Sequence, residues 1–330
     1  MASEFDLIAR HFAPIAGPGG LRLLDDAALA DTPPGHQLVV TTDAIVAGVH
    51  FFADDPPDTI AQKALGVNLS DLAAKGADPL GFVLSLIMPN QTSEAWLAGF
   101  ASGLRSMSTA ASCPLLGGDT VISQGPLTLS ITAFGSVPAG QMVRRDGVQA
   151  GDRLFVTGTI GDAAIGLKAR LDARAGSPWP LAADHLGFLD QRYLLPRPRF
   201  AIASVLRRHA HAAMDISDGF VGDLTKMIAL AGMGADIRLD EVPLSVAARA
   251  AIRLRPELVE TALTGGDDYE VLAAVPAADA MAFAADCLAL GIQATEVGVV
   301  TGKGAPIRFL EAGGAVRRFA RGSYVHGESA

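Results

Sequence analysis

Apolar and polar positions along this chain follow two rhythms, and together they predict alternating helices and strands. Phe5, Ile8, Ala9 and Phe12 fall at i, i+3, i+4 and i+7, the spacing of one buried helical face. Ser3 precedes them as a cap, with Glu4 and Asp6 in the first turn, where the helix dipole favours acids. AGPGG at 16–20 ends that helix. QLVVTTD at 37–43 reads as a strand, and 58–79 as a long helix stopped near Gly76 and Pro79. On that helix Asn68, Asp71 and Lys75 share one face.

GFVLSLIMP at 81–89 predicts a strand, 93–107 a helix capped by Ser93, and 126–138 a further strand. VPAGQMVRRDGVQAGD at 137–152 mixes Pro, Gly and charge, and marks the boundary between a domain over 1–140 and one over 141–330. Beyond it, 152–171 reads as strand, Gly turn and helix, and a helix runs through His211 to the strand end AMDISDG. Another helix, the strand ADIRL, GGDDYEVLAAVP, a helix over 277–290, TEVGVVTG and IRFLE complete the chain. Strands alternate with helices in both halves, which predicts an α/β fold built of α+β layers.

Composition narrows the function classes. With 330 residues, 50% of them hydrophobic, the chain can bury a sizeable core. Its longest apolar stretches fall short of the roughly 18–20 residues of a spanning helix, and MASEFDLIAR lacks the apolar segment of a signal peptide. A net charge of −9 argues against nucleic-acid binding, which needs a basic face. Cys113 and Cys287 form no CxxC pair and read as reduced core thiols of a cytoplasmic protein.

The acids are placed unusually. Asp25 and Asp26 stand in LDDAAL, Asp43 after the strand VVTT, and Asp119 in LLGGDT. Asp215 and Asp218 stand in DISDG, and Asp267 and Asp268 in GGDDYE. Each of them alone is accounted for as a turn or cap residue, Asp218 before its helix included. Five or six segments bringing carboxylates to one rim would repel without cations, and carboxylate oxygens are what Mg²⁺ prefers when it also holds phosphate. No GxxxxGK[ST] loop is present, and TGTIGDAAIG at 157–166 does not match GxGxxG. His50 would lie near the acidic rim or pack between phenylalanines, and Arg144 and Arg145 offer a fork for phosphate or form a solvated pair.

Read in order, EFDLIARHF, DDAAL, TTDAIVAGVHF, KALGVNLSDLAAKGADP, LLGGDT, RRDGVQAGD, VTGTIGD, DISDG and GGDDYE resemble thiamine-monophosphate kinases, within the aminoimidazole ribonucleotide synthetase superfamily. The resemblance runs from residue 3 to about residue 326. It implies a two-domain synthetase-like fold whose N-terminal sheets pair across a homodimer, with ATP and several Mg²⁺ ions between the domains. It implies ATP-dependent phosphorylation of thiamine monophosphate to thiamine diphosphate, by direct transfer without a catalytic base. Carried over by motif, Asp26, Thr42, Asp43, Asp71, Asp119, Asp215 and Asp218 would hold metal, and Gly118, Asp119, Arg145 and Ser217 would meet ATP. His50, Asp267 and Tyr324 would meet the thiamine substrate. Three positions depart from the family pattern: Leu24 replaces a glycine, Asp267 replaces a glutamate, and Ser323 is inserted before Tyr324.

The other readings are a synthetase for a purine precursor or for selenophosphate, a metal-dependent phosphohydrolase, and a nucleotide-binding protein without catalysis. Selenophosphate chemistry would want a reactive cysteine near the N-terminus, and no Cys precedes Cys113.

Overall fold

The computed structural model describes residues 4–320 and 322–323, which fall into two units. The first comprises Met1–Leu72 and Ala77–Met142, and the second Ala73–Gly76 and Val143–Ala330.

In the first unit α1 (Glu4–Leu7) runs into a π turn over Ile8–Phe12 and a 3-10 turn over Ala13–Ile15. Then follow β1 (His36–Val46), α2 (Pro57–Ala74), β2 (Asp78–Pro89), α3 (Glu94–Ala110), β3 (Leu115–Ser123) and β4 (Thr128–Pro138). The sheet order is β1-β4-β2-β3, so β1 and β3 are its edges. Antiparallel pairs join β1 to β4 and β4 to β2, and β2 runs parallel to β3.

α2 lies against the β1–β4 side: Asp71 bonds Thr41, and a Cβ on Gly135 would meet Leu72 at 3.1 Å. α3 crosses close to α2, because Gly103 lets its backbone approach that of Asp58. Ser93 caps α3 as predicted, its hydroxyl accepting the Trp96 N–H at 3.1 Å. Side chains alternate across β1, so Val39 and Ile45 are buried while Leu38 and Val40 are exposed.

The second unit runs β5 (Arg153–Thr157), α4 (Asp162–Arg174), α5 (Ala183–Leu194), α6 (Ala203–His209), β6 (Ala212–Ile216), α7 (Phe220–Leu230) and β7 (Met233–Arg238). It continues with α8 (Val246–Leu254), α9 (Leu258–Thr264), β8 (Glu270–Val275), α10 (Ala280–Ala289), β9 (Ala294–Lys303), β10 (Ile307–Leu310) and β11 (Val316–Arg317). Seven strands order as β11-β10-β7-β9-β5-β8-β6. Leu154, Val156, Met214 and Leu272 pack in one core cluster, and Phe155, Ala213, Val271 and Ala273 in another. Strand alternation puts these sets on opposite faces, so both faces of the sheet are covered.

The α/β layering expected from the sequence is present in both units. Three local expectations are corrected. Asp43 and Asp119 lie inside β1 and β3 rather than just after strands. Both are edge strands, where exposed side chains blur the alternation that marks strand ends. α2 ends at Ala74, because Gly76 turns left-handed at φ +67°, and Lys75 leaves Asp71's face to donate to the Ala213 carbonyl at 2.6 Å. Asp218 is not the helix cap: Gly219 holds that position in α7, with no side-chain capping bond. No helix of the described residues is long and apolar enough to cross a membrane.

Candidate active site

The acids of the first unit come from separate segments. Ahead of Asp25 and Asp26, Leu21, Arg22 and Leu23 take φ of +50°, +63° and +56°, a left-handed run that L-residues disfavour. Leu24 itself sits at φ −111°, open to any residue, so the departure from glycine costs no strain there. Gly19 presses this segment onto the chain, since a Cβ would lie 2.1 Å from the Leu29 carbonyl oxygen. Asp25, Asp26, Gly117, Gly118, Asp119 and Thr120 line one pocket of about 230 Å³, and no Lys or Arg lines it. Gly118 must be glycine: a Cβ would sit 2.0 Å from the Leu84 carbonyl oxygen of β2.

On β1 the Thr41 hydroxyl donates to Asp71 Oδ2 at 2.5 Å and holds that carboxylate against the sheet. Asp43, two residues on, shares Thr41's face and is exposed. Thr42 points the other way, donating to the Ile131 carbonyl at 3.1 Å and accepting from Thr132 at 3.0 Å. His50 Nδ1 accepts the Val46 N–H at 3.1 Å. That bond puts the ring proton of neutral His50 on Nε2, leaving it as a donor.

In the second unit two loops are pressed backbone to backbone. The Asp267 N–H donates to the Ser217 carbonyl at 2.9 Å, and the Tyr269 N–H to that of Ile216 at 2.8 Å. Gly266 and Gly219 permit this, since a Cβ would lie 2.4 Å from Ser217 O and 2.5 Å from Thr264 O respectively. Gly219 also takes φ +114°. Ser217, Asp218 and Asp267 are thereby brought together, with Asp215 buried at the end of β6 beneath them.

Arg144 is committed to Asp146, donating from Nε and Nη2 at 2.8 and 2.6 Å. Arg145 is exposed and unpaired among the described residues. Tyr324 lies outside the described residues, and the chain leading to it, Gly322–Ser323, lies against Gly222 of α7.

Several residues support these loops from beneath. Asp223, buried in the first turn of α7, accepts the N–H groups of Ser217 and Asp218 at 3.0 and 2.9 Å. Burial lifts its carboxyl above the ordinary value, while the Asp218 amide and Lys226 pull it back. Lys226 Nζ donates to Asp218 Oδ2 at 2.7 Å and to Asp223 Oδ1 at 3.1 Å, placing a cation on the Asp218 carboxylate. Asp268, also buried, accepts the Gly161 N–H; burial pushes its carboxyl well above the ordinary value, with that N–H opposing. Asp223 at i+4 from Gly219 was open to detection as a first-turn acid, whereas Asp268 and its partners lie far apart in sequence. Among the described residues no three His, Cys, Asp or Glu side chains gather closely enough to hold a metal ion.

Comparison with known proteins gives a concordant result. Residues 24–137 match the family "AIR synthase related protein, N-terminal domain", and residues 149–310 its C-terminal domain. The thiamine-monophosphate kinase of Caulobacter vibrioides is 42% identical, over 92% of this chain and 85% of its own. The crystal structure of thiamine-monophosphate kinase from Stenotrophomonas maltophilia superposes with a TM-score of 0.79 at 37% identity, covering 89% of this chain and 91% of that one. A structure of AaThiL complexed with AMPPCP and TMP superposes with a TM-score of 0.75 at 28% identity, covering 98% and 97%.

Proposed function

Because this chain belongs to the AIR synthase-related family, among its thiamine-monophosphate kinases, we propose that its scattered carboxylates hold the Mg²⁺ ions that serve its reaction. The protein phosphorylates thiamine monophosphate with ATP. The observation that carries the metal reading is the pocket lined by Asp25, Asp26 and Asp119 without one Lys or Arg. The only charged side chains a phosphate would meet there are negative, so a cation is needed to bring it in. Hard oxygen donors suit Mg²⁺.

The residues that would hold the metal are Asp26, Asp43, Asp71, Asp119, Asp215 and Asp218; the Thr42 hydroxyl, expected among them, faces the other side of β1 and is committed to Ile131 and Thr132. Bound there, Mg²⁺ would neutralise the repulsion between the two anionic phosphates and align them for in-line transfer. The chain's own groups do the rest. Arg145 offers an unpaired guanidinium fork to an ATP phosphate, and Gly118 and Ser217 are the further residues assigned to ATP. His50 presents its Nε2 proton to the acceptor substrate. Asp267 and Tyr324 meet the thiamine moiety. No general base is required, because the attacking oxygen of a phosphate monoester is already ionised near neutral pH, and the transfer passes through no phospho-enzyme.

The exposed apolar side chains of β1, Leu38 and Val40, support a homodimer joined through this sheet. Cys113 and Cys287 are free and buried, burial pushing both thiols up to about 12, which supports a cytoplasmic setting.

The test is to incubate the protein with ATP, Mg²⁺ and thiamine monophosphate and to follow thiamine diphosphate by chromatography. Product is expected only with all three. Equal ATP loss without the acceptor would point to a hydrolase, and labelled phosphate trapped on the protein in a single turnover would end the direct-transfer scheme.

A further inference from the structure

The Gly265–Tyr269 loop adopts a shape that its own residues resist. Asp267 and Tyr269 stand at φ +76° and +51°, in the left-handed region disfavoured by any residue with a Cβ. Such a conformation persists only where the surroundings over-determine it, and here the surroundings are a buried set of hydrogen-bonded acidic and basic side chains. Asp268, between the two strained residues, is wholly buried, and both its Oδ atoms lie 2.9 Å from the Gly161 N–H at the start of α4.

Two residues on, Glu270 is buried as completely. Arg199 grips it as a fork, Nε donating to Oε2 at 2.6 Å and Nη2 to Oε1 at 2.5 Å. Arg192 Nη2 adds a bond to Oε1 at 3.0 Å, and the Thr157 hydroxyl one to Oε2 at 2.7 Å. The Thr157 hydroxyl in turn accepts the Val271 N–H at 2.8 Å, tying the loop's exit to β5.

Asp268 and Glu270 are thus anchored in the interior, while Asp267 stays half-buried beside Ser217 and the buried Tyr269 donates its hydroxyl to Asp267 Oδ1 at 3.2 Å. Apolar residues of equal volume would serve stability as well as buried ion pairs do, so stability alone does not account for this set.

We infer that Asp268 and Glu270 are positioning residues for the acceptor substrate: anchored on Gly161 and Arg199, they hold Asp267 in the left-handed conformation in which it meets thiamine monophosphate. The inference rests on the reading of Asp267 as a substrate contact.

The test compares KM for the two substrates in the full-length enzyme. Asp267→Ala and Asp268→Ala should each raise KM for thiamine monophosphate about tenfold or more, with KM for ATP within about twofold. Asp268→Asn, which keeps an acceptor for the Gly161 N–H, should stay within about threefold of the parent for both. A tenfold rise in Asp267→Ala with none in Asp268→Ala overturns the inference alone, as does an equal rise in both KM values, the mark of general damage. An unchanged KM in Asp267→Ala removes Asp267 from the substrate site, and the inference falls with that reading. Should Asp268→Ala not fold, Arg199→Lys carries the same test: it loses the fork on Glu270 and should show the same split, and parental values for both substrates would overturn the inference.

Discussion

Asp71 shows how a single residue can be tested apart from its scaffold. Its carboxylate is held by the Thr41 hydroxyl, and an amide oxygen would accept that same bond. Asp71→Asn should therefore keep the fold, with circular dichroism and melting unchanged, while turnover drops below detection. Near-normal activity would remove Asp71 from the metal site. Asp268 makes a different prediction. Its carboxyl is pushed above its unfolded value chiefly by burial, so its contribution to stability is fully present below about pH 4 and declines as pH rises through the folded value. Asparagine does not titrate. The stability of the parent relative to Asp268→Asn, from denaturant melts, should accordingly fall as pH rises above about 4, and a flat difference would contradict the assignment. The acids proposed for the site could be picked out of the sequence because their motifs are local. The residues beneath them were not: Arg199 and Glu270 meet across 71 positions, and nothing in either segment announces the other.

At the scale of elements, the helices were read best where capping chemistry is strong, as at Ser93, and worst where a glycine or an edge strand blurs the pattern. β1 reaches Val46 and β3 reaches Ser123, so the motifs containing Asp43 and Asp119 looked like strand ends although they are strand interiors. α5 and α9 had no clear forecast, since their short stretches start without a side-chain cap, and α8 was missed although the Ser245 hydroxyl caps it by accepting the Ala248 N–H at 2.9 Å. β1 also carries a prediction. Val40 is 54% exposed on the face away from α2, and a charge there should leave the unit folded while opposing burial of that face. Val40→Glu is expected to shift sedimentation from dimer to monomer with an unchanged circular dichroism spectrum. A parent that already sediments as a monomer would refute the pairing.

For the molecule as a whole, the order of strands and helices was legible, whereas the pairing of strands was not. Seven strands in the order β11-β10-β7-β9-β5-β8-β6 require contacts between segments far apart in the chain, and periodicity carries no record of partners. The acidic balance of −9 is coherent with the proposed chemistry: a phosphate-handling protein whose pocket holds carboxylates and no Lys or Arg would depend on metal ions for its affinity. One bond then has a thermodynamic consequence. The Ser217 carbonyl accepts the Asp267 N–H at 2.9 Å, so the residue assigned to the nucleotide and the residue assigned to the acceptor share one backbone link. If each loop is ordered by its ligand, ordering one would lower the entropic cost of ordering the other. Binding of the two substrates is then expected to be cooperative, which titrating one in the presence of the other would check. Reciprocity then applies: the factor by which ATP tightens thiamine monophosphate must equal the factor by which thiamine monophosphate tightens ATP, whichever arrives first.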